Sequence, residues 1–247
     1  MRYAPEEIKP YAQSSEDKTT QVEAMFDCIA PRYDLLNHAL SCGVDKYWRH
    51  VAIKRLQAHS VSELLDVATG TGDFALLAMR KINPTHITAI DLSEEMMRVG
   101  RHKAAKAGYG ETCITFQRAN CNALSYADEA FDAITIAFGI RNFVQLENCL
   151  AELRRVLKQS GRLCILELST PTNPILKLLF HVYSRLFIPL IGRFTSHDAS
   201  AYQYLPTSIA AFPQGEVMAR IFQEAGFRDV QFKRLTGGLC TLYEATK

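Results

Sequence analysis

Residues 65–73 read Leu-Asp-Val-Ala-Thr-Gly-Thr-Gly-Asp, a short apolar run that leads into a glycine-rich turn. Gly70 and Gly72 allow the backbone to bend tightly and to approach a ligand closely. The turn opens a predicted helix, and the first N–H groups of a helix have no partner within it. It therefore favours a ligand with a carboxylate or a phosphate. The turn also satisfies the pattern G-x-G-x-x-G/A, so by itself it does not select one cofactor.

On both sides of this turn, short apolar runs alternate with amphipathic stretches. The runs predict strands at 64–68, 87–91, 114–118, 133–138 and 162–168, with helices near 73–82, 94–107 and 146–157. This alternation is typical of βαβ units and a mostly parallel sheet. A last helix at 215–225 precedes strands at 229–235 and 240–245, which can pair as an antiparallel edge hairpin across Gly237-Gly238. The predicted α/β fold resembles the seven-stranded, Rossmann-like sheet of class I methyltransferases.

Two helical segments extend this pattern. Residues 21–58 have apolar positions at helical spacing, broken at Pro31 and Gly43, and predict an N-terminal helical cap over about 15–60. Residues from about 171 to 213 interrupt the strand–helix alternation and predict a helical insertion before the last hairpin. We expect residues 1–247 to form a single domain, since this length suffices for one hydrophobic core.

Composition excludes several classes of protein. The formal net charge of +2 is too small for a typical nucleic-acid binder, so no nucleic-acid partner is expected. The seven cysteines are scattered, without the spacing of a zinc or redox site, so we expect no metal and free thiols in a reducing compartment. The N-terminal residues lack the apolar core of a signal peptide, and we therefore expect a cytoplasmic protein.

The acidic residues around the turn distinguish between cofactors. Asp91 closes the second strand about 20 residues after the turn, where a carboxylate can accept hydrogen bonds from both ribose hydroxyls. Asp66, before the turn, suits the cationic amino group of methionine better than a pyrophosphate, which Asp73 would repel. Asn120 and Cys121 follow the third strand, where related enzymes bind adenine. The cofactor predicted is S-adenosyl-L-methionine. Alternatively, Asp66 orders the turn and Asp73 caps the helix.

Four separated blocks, in order, resemble the ubiquinone/menaquinone biosynthesis C-methyltransferase family over nearly the whole chain. They are Tyr33-Asp34-Leu35-Leu36-Asn37 with Leu40-Ser41 and Trp48-Arg49; Phe138-Gly139-Ile140-Arg141-Asn142; Arg155 to Gly161 running on to Glu167-Leu168-Ser169; and Asp198, Tyr202, Tyr204-Leu205-Pro206 and Ser208. The resemblance implies that Thr71, Asp91, Asn120 and Cys121 contact S-adenosylmethionine. With the residues of the turn, the predicted cofactor set is Asp66, Gly70, Thr71, Gly72, Asp91, Asn120 and Cys121.

The resemblance also implies the acceptor, a ring carbon of a polyprenylated quinol. The variant Asp45-Lys46-Tyr47-Trp48 is more similar to the menaquinone members, which favours demethylmenaquinol as the substrate. A polyprenyl methoxy-benzoquinol of ubiquinone biosynthesis is the alternative. A homodimer and a peripheral contact with the cytoplasmic face of the membrane are left open.

Arg141 and Asp73 are the predicted catalytic residues. The segment after the fourth strand carries a cation and no proline, and a fixed guanidinium at Arg141 would stabilise a phenolate and so activate the adjacent ring carbon. A structural salt bridge is the alternative role of Arg141. Asp73 is a candidate general base, with helix capping as the alternative. His38 and His197 are further conceivable bases.

The insertion is predicted to receive the lipid tail. Lys177, His181 and Arg185 recur every four residues and so lie on one face of a helix, amid many large apolar residues; Pro189 should end or kink it. Such a helix suits a lid, a tail groove or an interfacial position, and the alternative is an ordinary buried helix with its cations reaching solvent.

Three other functions could use the same motifs. A nicotinamide-dependent oxidoreductase would use the same glycine turn, but Asp66 and Asp73 argue against a pyrophosphate there. A non-catalytic binding subunit would not need the turn together with Asp91. Methylation of a small molecule or lipid outside quinone biosynthesis is a third alternative.

Overall fold

The protein is described from a computed structural model that covers residues 7–11, 13–183 and 199–247, with only the backbone described for 199–203. Its centre is a seven-stranded sheet. The strands are β1 (Glu63–Val67), β2 (His86–Asp91), β3 (Ile114–Arg118), β4 (Phe131–Ala137), β5 (Leu157–Leu168), β6 (Arg228–Leu235) and β7 (Cys240–Thr246). They are ordered β3-β2-β1-β4-β5-β7-β6. The predicted seven-stranded sheet is confirmed.

The first five strands run parallel, and β7 runs antiparallel to both of its neighbours, β5 and β6. The terminal hairpin therefore lies at the edge as predicted, with its second strand inside and β6 outermost. Strands β1 and β4 occupy the middle and are almost entirely buried. Burial on both faces explains why they read as continuous apolar runs rather than as alternating patterns.

Helices cover both faces of the sheet. They are α1 (Lys18–Ile29), α2 (Tyr33–Leu40), α3 (Val44–Leu56), α4 (Asp73–Lys81), α5 (Glu94–Lys106), α6 (Leu146–Val156), α7 (helical residues 174–183), α8 (Ala199–Ala211) and α9 (Glu216–Glu224). One apolar core joins the sheet to α3, α4 and α5, and a second joins its other face to α6 and α9. Pro31 and Gly43 separate the cap helices, as predicted.

One strand boundary differs from the prediction by more than two residues. β5 begins at Leu157 rather than at 162, because residues 158–161 form an irregularity within the strand instead of a separate turn. Phe131 pairs with Leu157 and Ala133 with Arg162, so the extra residues form a bulge opposite Asp132. Ser160 takes a φ of 61°, the kind of backbone conformation that a bulge requires.

The cap and the insertion meet above the sheet. The Tyr183 hydroxyl of α7 donates a hydrogen bond to the Leu40 carbonyl of α2 at 2.7 Å. Large apolar side chains of α7 lie in solvent, with Ile175 70%, Leu178 64% and Leu179 59% exposed, which argues against an ordinary buried helix. Arg185, Pro189, Arg193, His197 and Asp198 lie outside the described residues. Across the described ranges, none of the helices is long and apolar enough to cross a membrane.

Candidate active site

The glycine turn lies at the carboxyl ends of β1 and β4, in the middle of the sheet. Three of its residues take positive φ angles: Ala68 at 53°, Gly70 at 56° and Gly72 at 76°. Gly139, which follows β4, approaches so closely that a Cβ atom there would lie 2.4 Å from the Cβ of Ala68. Glycine is therefore required at 139 for the turn and the end of β4 to meet. The central carboxyl ends of an open parallel sheet are where ligands bind.

A cavity lies beside this turn, with about 850 Å³ of space when the open solvent at its mouth is included, and we call it the glycine-turn cavity. Its wall includes Thr19, Val22, Glu23, Phe26, Tyr33, Val67, Gly70, Ile90, Asp91, Asn120, Cys121, Phe138 and Asn142. Gly70, Asp91, Asn120 and Cys121 are thus brought together in one wall. Asp66, Thr71 and Gly72 are not among the residues that line it, although all three belong to the described chain.

Asp91 forms a fixed acceptor in the glycine-turn cavity. One carboxylate oxygen accepts the Gly70 N–H at 2.8 Å, and the other accepts the Ser93 N–H at 2.9 Å. Each oxygen keeps a second lone pair for a ligand. Burial raises the pKa of Asp91, while the two backbone N–H groups act to lower it. The geometry fits a diol that donates two hydrogen bonds.

Asp66 lies beneath the turn rather than in the cavity wall. It is 1% exposed, and its two oxygens accept hydrogen bonds from the hydroxyls of Thr69 and Thr135, each at 2.6 Å. Burial raises its pKa to about 6, against these two hydrogen bonds, which act to lower it. This placement supports the alternative in which Asp66 orders the turn. Contact between Asp66 and the amino group of methionine stays a prediction.

Thr71 and Asp73 join the turn to the helices around it. The Lys103 ammonium contacts Asp73 at 2.5 Å, Asp34 at 2.6 Å and the Thr71 hydroxyl at 3.3 Å. The Thr71 hydroxyl in turn donates to Asp34. The N-cap of α4 is Gly72, and Asp73 is the first residue of the helix. A base role for Asp73 stays a prediction. To accept a proton from the substrate, the Asp73 carboxylate would have to give up or share its contact with the Lys103 ammonium.

His38 lies between the carboxylates of Asp45 and Asp73. Its Nδ1 is 2.9 Å from a carboxylate oxygen of Asp45, and its Nε2 is 3.9 Å from Asp73. Asp45 also accepts hydrogen bonds from Ser41 and Arg49, which lower its pKa although burial acts to raise it. His38 does not line the glycine-turn cavity.

Arg141 is buried beside a second cavity and has a carboxylate partner. Its side chain is 7% exposed, and its Nη1 donates to Glu167 at 2.8 Å and to the Phe138 carbonyl. Glu167 also accepts the Arg141 backbone N–H at 3.1 Å. Burial acts to lower the pKa of Arg141, but the charge of Glu167 more than offsets this and raises it. The salt bridge proposed as an alternative is present, and it fixes the guanidinium at the cavity wall.

The second cavity is larger, about 1740 Å³ when the open solvent at its mouth is included, and we call it the apolar cavity. Its walls come from the cap, the end of β4, α7 and α8. They include Met25, Phe26, Ile29, Tyr33, Leu36, Asn37, Leu40, Trp48, Phe138, Arg141, Leu176, Leu179, Phe180, Tyr183, Tyr204 and Leu205. Phe26, Tyr33 and Phe138 line both cavities. The two spaces therefore share one wall, and Arg141 lies on its apolar side.

Helix α1 is held over the glycine-turn cavity by polar contacts with the sheet region. Asp27 accepts a hydrogen bond from the Ser93 hydroxyl at 2.5 Å, and Glu23 pairs with Arg118 at 2.7 Å. Phe26 lies between these two acids along the chain and packs edge-on against Tyr33, with ring centroids 6.1 Å apart. The cap thus supplies part of the wall of both cavities.

Three residues of the site, Glu167, Phe26 and Tyr33, receive no individual role from the sequence. Glu167 had a signal, since a lone carboxylate within an apolar strand requires a partner when buried. Phe26 and Tyr33 had none, because aromatic residues at helical spacing more often pack in a core than line a ligand cavity. Only the docking of the cap on the sheet reveals their position.

Comparison with known proteins identifies the family of the chain. The model of the ubiE/COQ5 methyltransferase family matches residues 13–247. A demethylmenaquinone methyltransferase of Bacteroides fragilis is 53% identical over 247 residues, 100% of both chains. A ubiquinone/menaquinone biosynthesis C-methyltransferase of Citrifermentans bemidjiense is 46% identical over 94% of this chain and 98% of its own.

Among solved structures, a SAM-dependent methyltransferase from Thermotoga maritima, a possible histamine N-methyltransferase, is similar with a TM-score of 0.62. The match covers 91% of this chain and 99% of that one at 16% identity, so it bears on the fold alone. The fold is that of class I methyltransferases, and the family match extends over nearly all of the sequence. The chain therefore belongs to the ubiE/COQ5 methyltransferase family.

Proposed function

We propose that the protein transfers a methyl group from S-adenosyl-L-methionine to a ring carbon of a polyprenylated quinol. The preferred quinol is demethylmenaquinol. One observation carries this proposal: the cavity lined by Gly70, Asp91, Asn120 and Cys121 shares the wall of Phe26, Tyr33 and Phe138 with a larger apolar cavity. A transfer between two bound molecules requires adjacent sites that hold both reacting atoms in place.

The glycine-turn cavity fits S-adenosylmethionine, which supplies an electrophilic methyl group when bound. Asp91 would accept hydrogen bonds from the ribose hydroxyls, and Asn120 and Cys121 would hold the adenine at the end of β3. Gly70 would allow close approach of the methionine part. Thr71 and Gly72 would shape the turn from behind, as Asp66 does through its threonine partners. In this proposal, residues 1–247 act as one domain, with the cap over about 15–60 and the insertion over about 171–213.

The apolar side of the shared wall would activate the acceptor. A quinol ring carbon becomes nucleophilic when the neighbouring hydroxyl loses its proton, and the Arg141 guanidinium would stabilise the resulting phenolate. The new C–C bond would form at that carbon as the methyl–sulfur bond of S-adenosylmethionine breaks and leaves S-adenosylhomocysteine. The proton that the carbon carried would then leave to restore the aromatic ring. Glu167 would keep Arg141 in place through its two contacts. Asp73 is a candidate for receiving a proton.

Demethylmenaquinol is preferred as the acceptor for two reasons. The Bacteroides relative, which covers this chain from end to end, has the name demethylmenaquinone methyltransferase. The apolar cavity also has room for a fused ring and the beginning of a prenyl tail. A polyprenyl methoxy-benzoquinol remains the second candidate, because relatives whose names include ubiquinone also match over 94% of this chain.

The tail would leave the apolar cavity beside α7, and we propose that this helix touches the membrane surface. Ile175, Leu178 and Val182 are exposed, and none of them lines the apolar cavity. Exposed aliphatic side chains next to the cationic Lys177 suit an interfacial helix. The homodimer remains a prediction.

The experiment is a transfer assay with purified protein and S-adenosylmethionine labelled in its methyl group. Chemically reduced demethylmenaquinol and the corresponding methoxy-benzoquinol are supplied in separate reactions, and the products are identified by mass spectrometry. We expect a mass gain of one methyl on the naphthoquinol ring. Turnover of the benzoquinol alone would replace the preferred substrate, and transfer to neither quinol would overturn the proposed function.

A further inference from the structure

Helix α2 presents one face to the apolar cavity. Tyr33, Leu36, Asn37 and Leu40 all line it, and they are spaced three and four residues apart. This spacing places them on a single stripe of the helix. Tyr33 and Asn37 are the polar members of the stripe, and the cavity around them is otherwise largely apolar.

Asn37 has an unused donor. Its Nδ2 is buried and, within the described part of the chain, has no hydrogen-bond partner. Two other polar groups that line the apolar cavity already have partners: Asp45 accepts from Ser41 and Arg49, and the Thr236 hydroxyl accepts from Trp48. A buried amide without a partner is costly, and most such groups in proteins have one. The amide of Asn37 is therefore placed for an acceptor that a ligand brings into the cavity.

The order of residues along α2 gives the position of that acceptor. Tyr33 is in the wall shared with the glycine-turn cavity, so it marks the end where the methyl group arrives. Asn37 is four residues further on, about 6 Å along the helix axis. Leu40 follows at the end of the helix, where its carbonyl accepts the hydrogen bond from Tyr183 of α7. A ligand along this stripe would have its reacting carbon near Tyr33, a polar group near Asn37 and its tail beyond Leu40.

We infer that Asn37 is a positioning residue that donates a hydrogen bond to the quinol oxygen remote from the reacting carbon. This inference rests on the proposed function. A 1,4-quinol has two oxygens on opposite sides of the ring, and Arg141 can serve only the one beside the reacting carbon. The second oxygen enters a largely apolar cavity and needs a donor there, which the Asn37 amide provides. A ring held at both oxygens can turn only about the line that joins them, and a tail lying beyond Leu40 opposes that turn, so the same carbon is presented.

The test combines a protein variant with a substrate analogue. Asn37→Leu keeps the size of the side chain and removes the amide, and the analogue retains only the hydroxyl beside the reacting carbon. With the full quinol, we expect Asn37→Leu to lower kcat/KM by about tenfold to a hundredfold. With the analogue, which lacks the oxygen in question, we expect the variant and the wild-type protein to differ by less than about threefold. The affinity for S-adenosylmethionine should be unchanged.

Asn148→Leu is the matched control, because Asn148 is exposed on α6 and its side-chain amide donates to the Gln145 side chain. If Asn37→Leu does not fold, Asn37→Ala also removes the amide, without adding a new polar group, and should show the same dependence on substrate. An equal loss with quinol and analogue would overturn the inference in favour of a structural role, and no loss with either would exclude contact. A wild-type protein inactive on every quinol would instead remove the proposed function, and the role of Asn37 with it.

Discussion

Replacement of Glu167 by Gln tests the buried ion pair at the wall of the apolar cavity. The Glu167 and Arg141 side chains are 2% and 7% exposed. The Glu167 carboxylate accepts from Arg141 Nη1 at 2.8 Å, from the Arg141 N–H at 3.1 Å and from the Leu168 N–H at 2.8 Å. Gln keeps one acceptor oxygen, but its NH₂ group replaces the other oxygen. A donor then faces the Arg141 and Leu168 donors that the carboxylate had paired with. Loss of one partner of a buried pair costs about 3–5 kcal/mol, because the other charge is left without compensation.

We therefore expect Glu167→Gln to lower the free energy of unfolding by about 3–5 kcal/mol, a large part of the total for a domain of this size. Urea titration at neutral pH measures the change. The matched control is Arg98→Gln, which breaks the exposed pair of Arg98 with Glu95 and should cost less than about 1 kcal/mol. A loss for Glu167→Gln no larger than that of the control would refute the reasoning.

The double variant Arg141→Gln/Glu167→Gln separates the two roles of the arginine. It leaves no buried charge, so its loss of stability should be smaller than the sum of the two single losses. Its turnover should nevertheless stay as low as that of Arg141→Gln alone, because the cation that stabilises the phenolate is absent from both. Recovery of turnover together with stability would show that Arg141 acts only as a structural partner.

Three further predictions concern the cofactor, the turn and the tail. Asp91→Asn should weaken S-adenosylmethionine binding by about 1.5–3 kcal/mol, measured by calorimetry, and an unchanged affinity would remove Asp91 from the site. Burial raises the pKa of Asp66 from 3.8 to about 6, so the folded state binds this proton more tightly than the unfolded state does. The free energy of unfolding should then fall, by about 3 kcal/mol in all, as the pH rises through that range. Asp66→Asn should abolish this part of the pH dependence, and an unaltered profile would assign it to other groups. Each added isoprene unit should raise kcat/KM until the apolar cavity is filled, since a buried CH₂ contributes about 0.8 kcal/mol. Leu179→Asp should remove that gain, and equal kcat/KM across a tail series in both proteins would contradict the tail site.

The strands and the glycine turn could be predicted because their signals are local. An apolar run followed by Gly70 and Gly72 specifies a strand, a turn and a helix within a few residues, and Asp91 follows at the distance that a βαβ unit requires. The start of β5 was missed, because residues 158–161 contain the polar turn residues that usually end a strand. Only the pairing of Phe131 with Leu157 shows that the strand continues through them.

The sequence could not predict which of the carboxylates Asp66, Asp73 and Asp91 have partners within the protein, because those partners depend on the order of strands and the packing of helices. Asp66 is beneath the turn owing to Thr135, and that residue comes beside it only because β4 pairs with β1. Lys103 reaches Asp73 from α5, thirty residues away along the chain. Motif spacing places these carboxylates near a ligand, but it cannot show which of them already has a partner.

Phe26 in the wall of both cavities has a consequence for the order in which molecules enter and leave. Helix α1 lies along the glycine-turn cavity and carries Phe26 toward the apolar one. Any displacement of α1 that widens the first space also withdraws a side chain from the second. The affinities for the two ligands are then linked through the cap. The linkage is reciprocal: if one bound ligand holds α1 in place and so raises the affinity for the other, the second raises the affinity for the first by the same factor. Release of the demethylated cofactor would require α1 to move, whereas retention of a long-tailed product would require α1 to stay in place. The two events therefore place opposite requirements on the same helix.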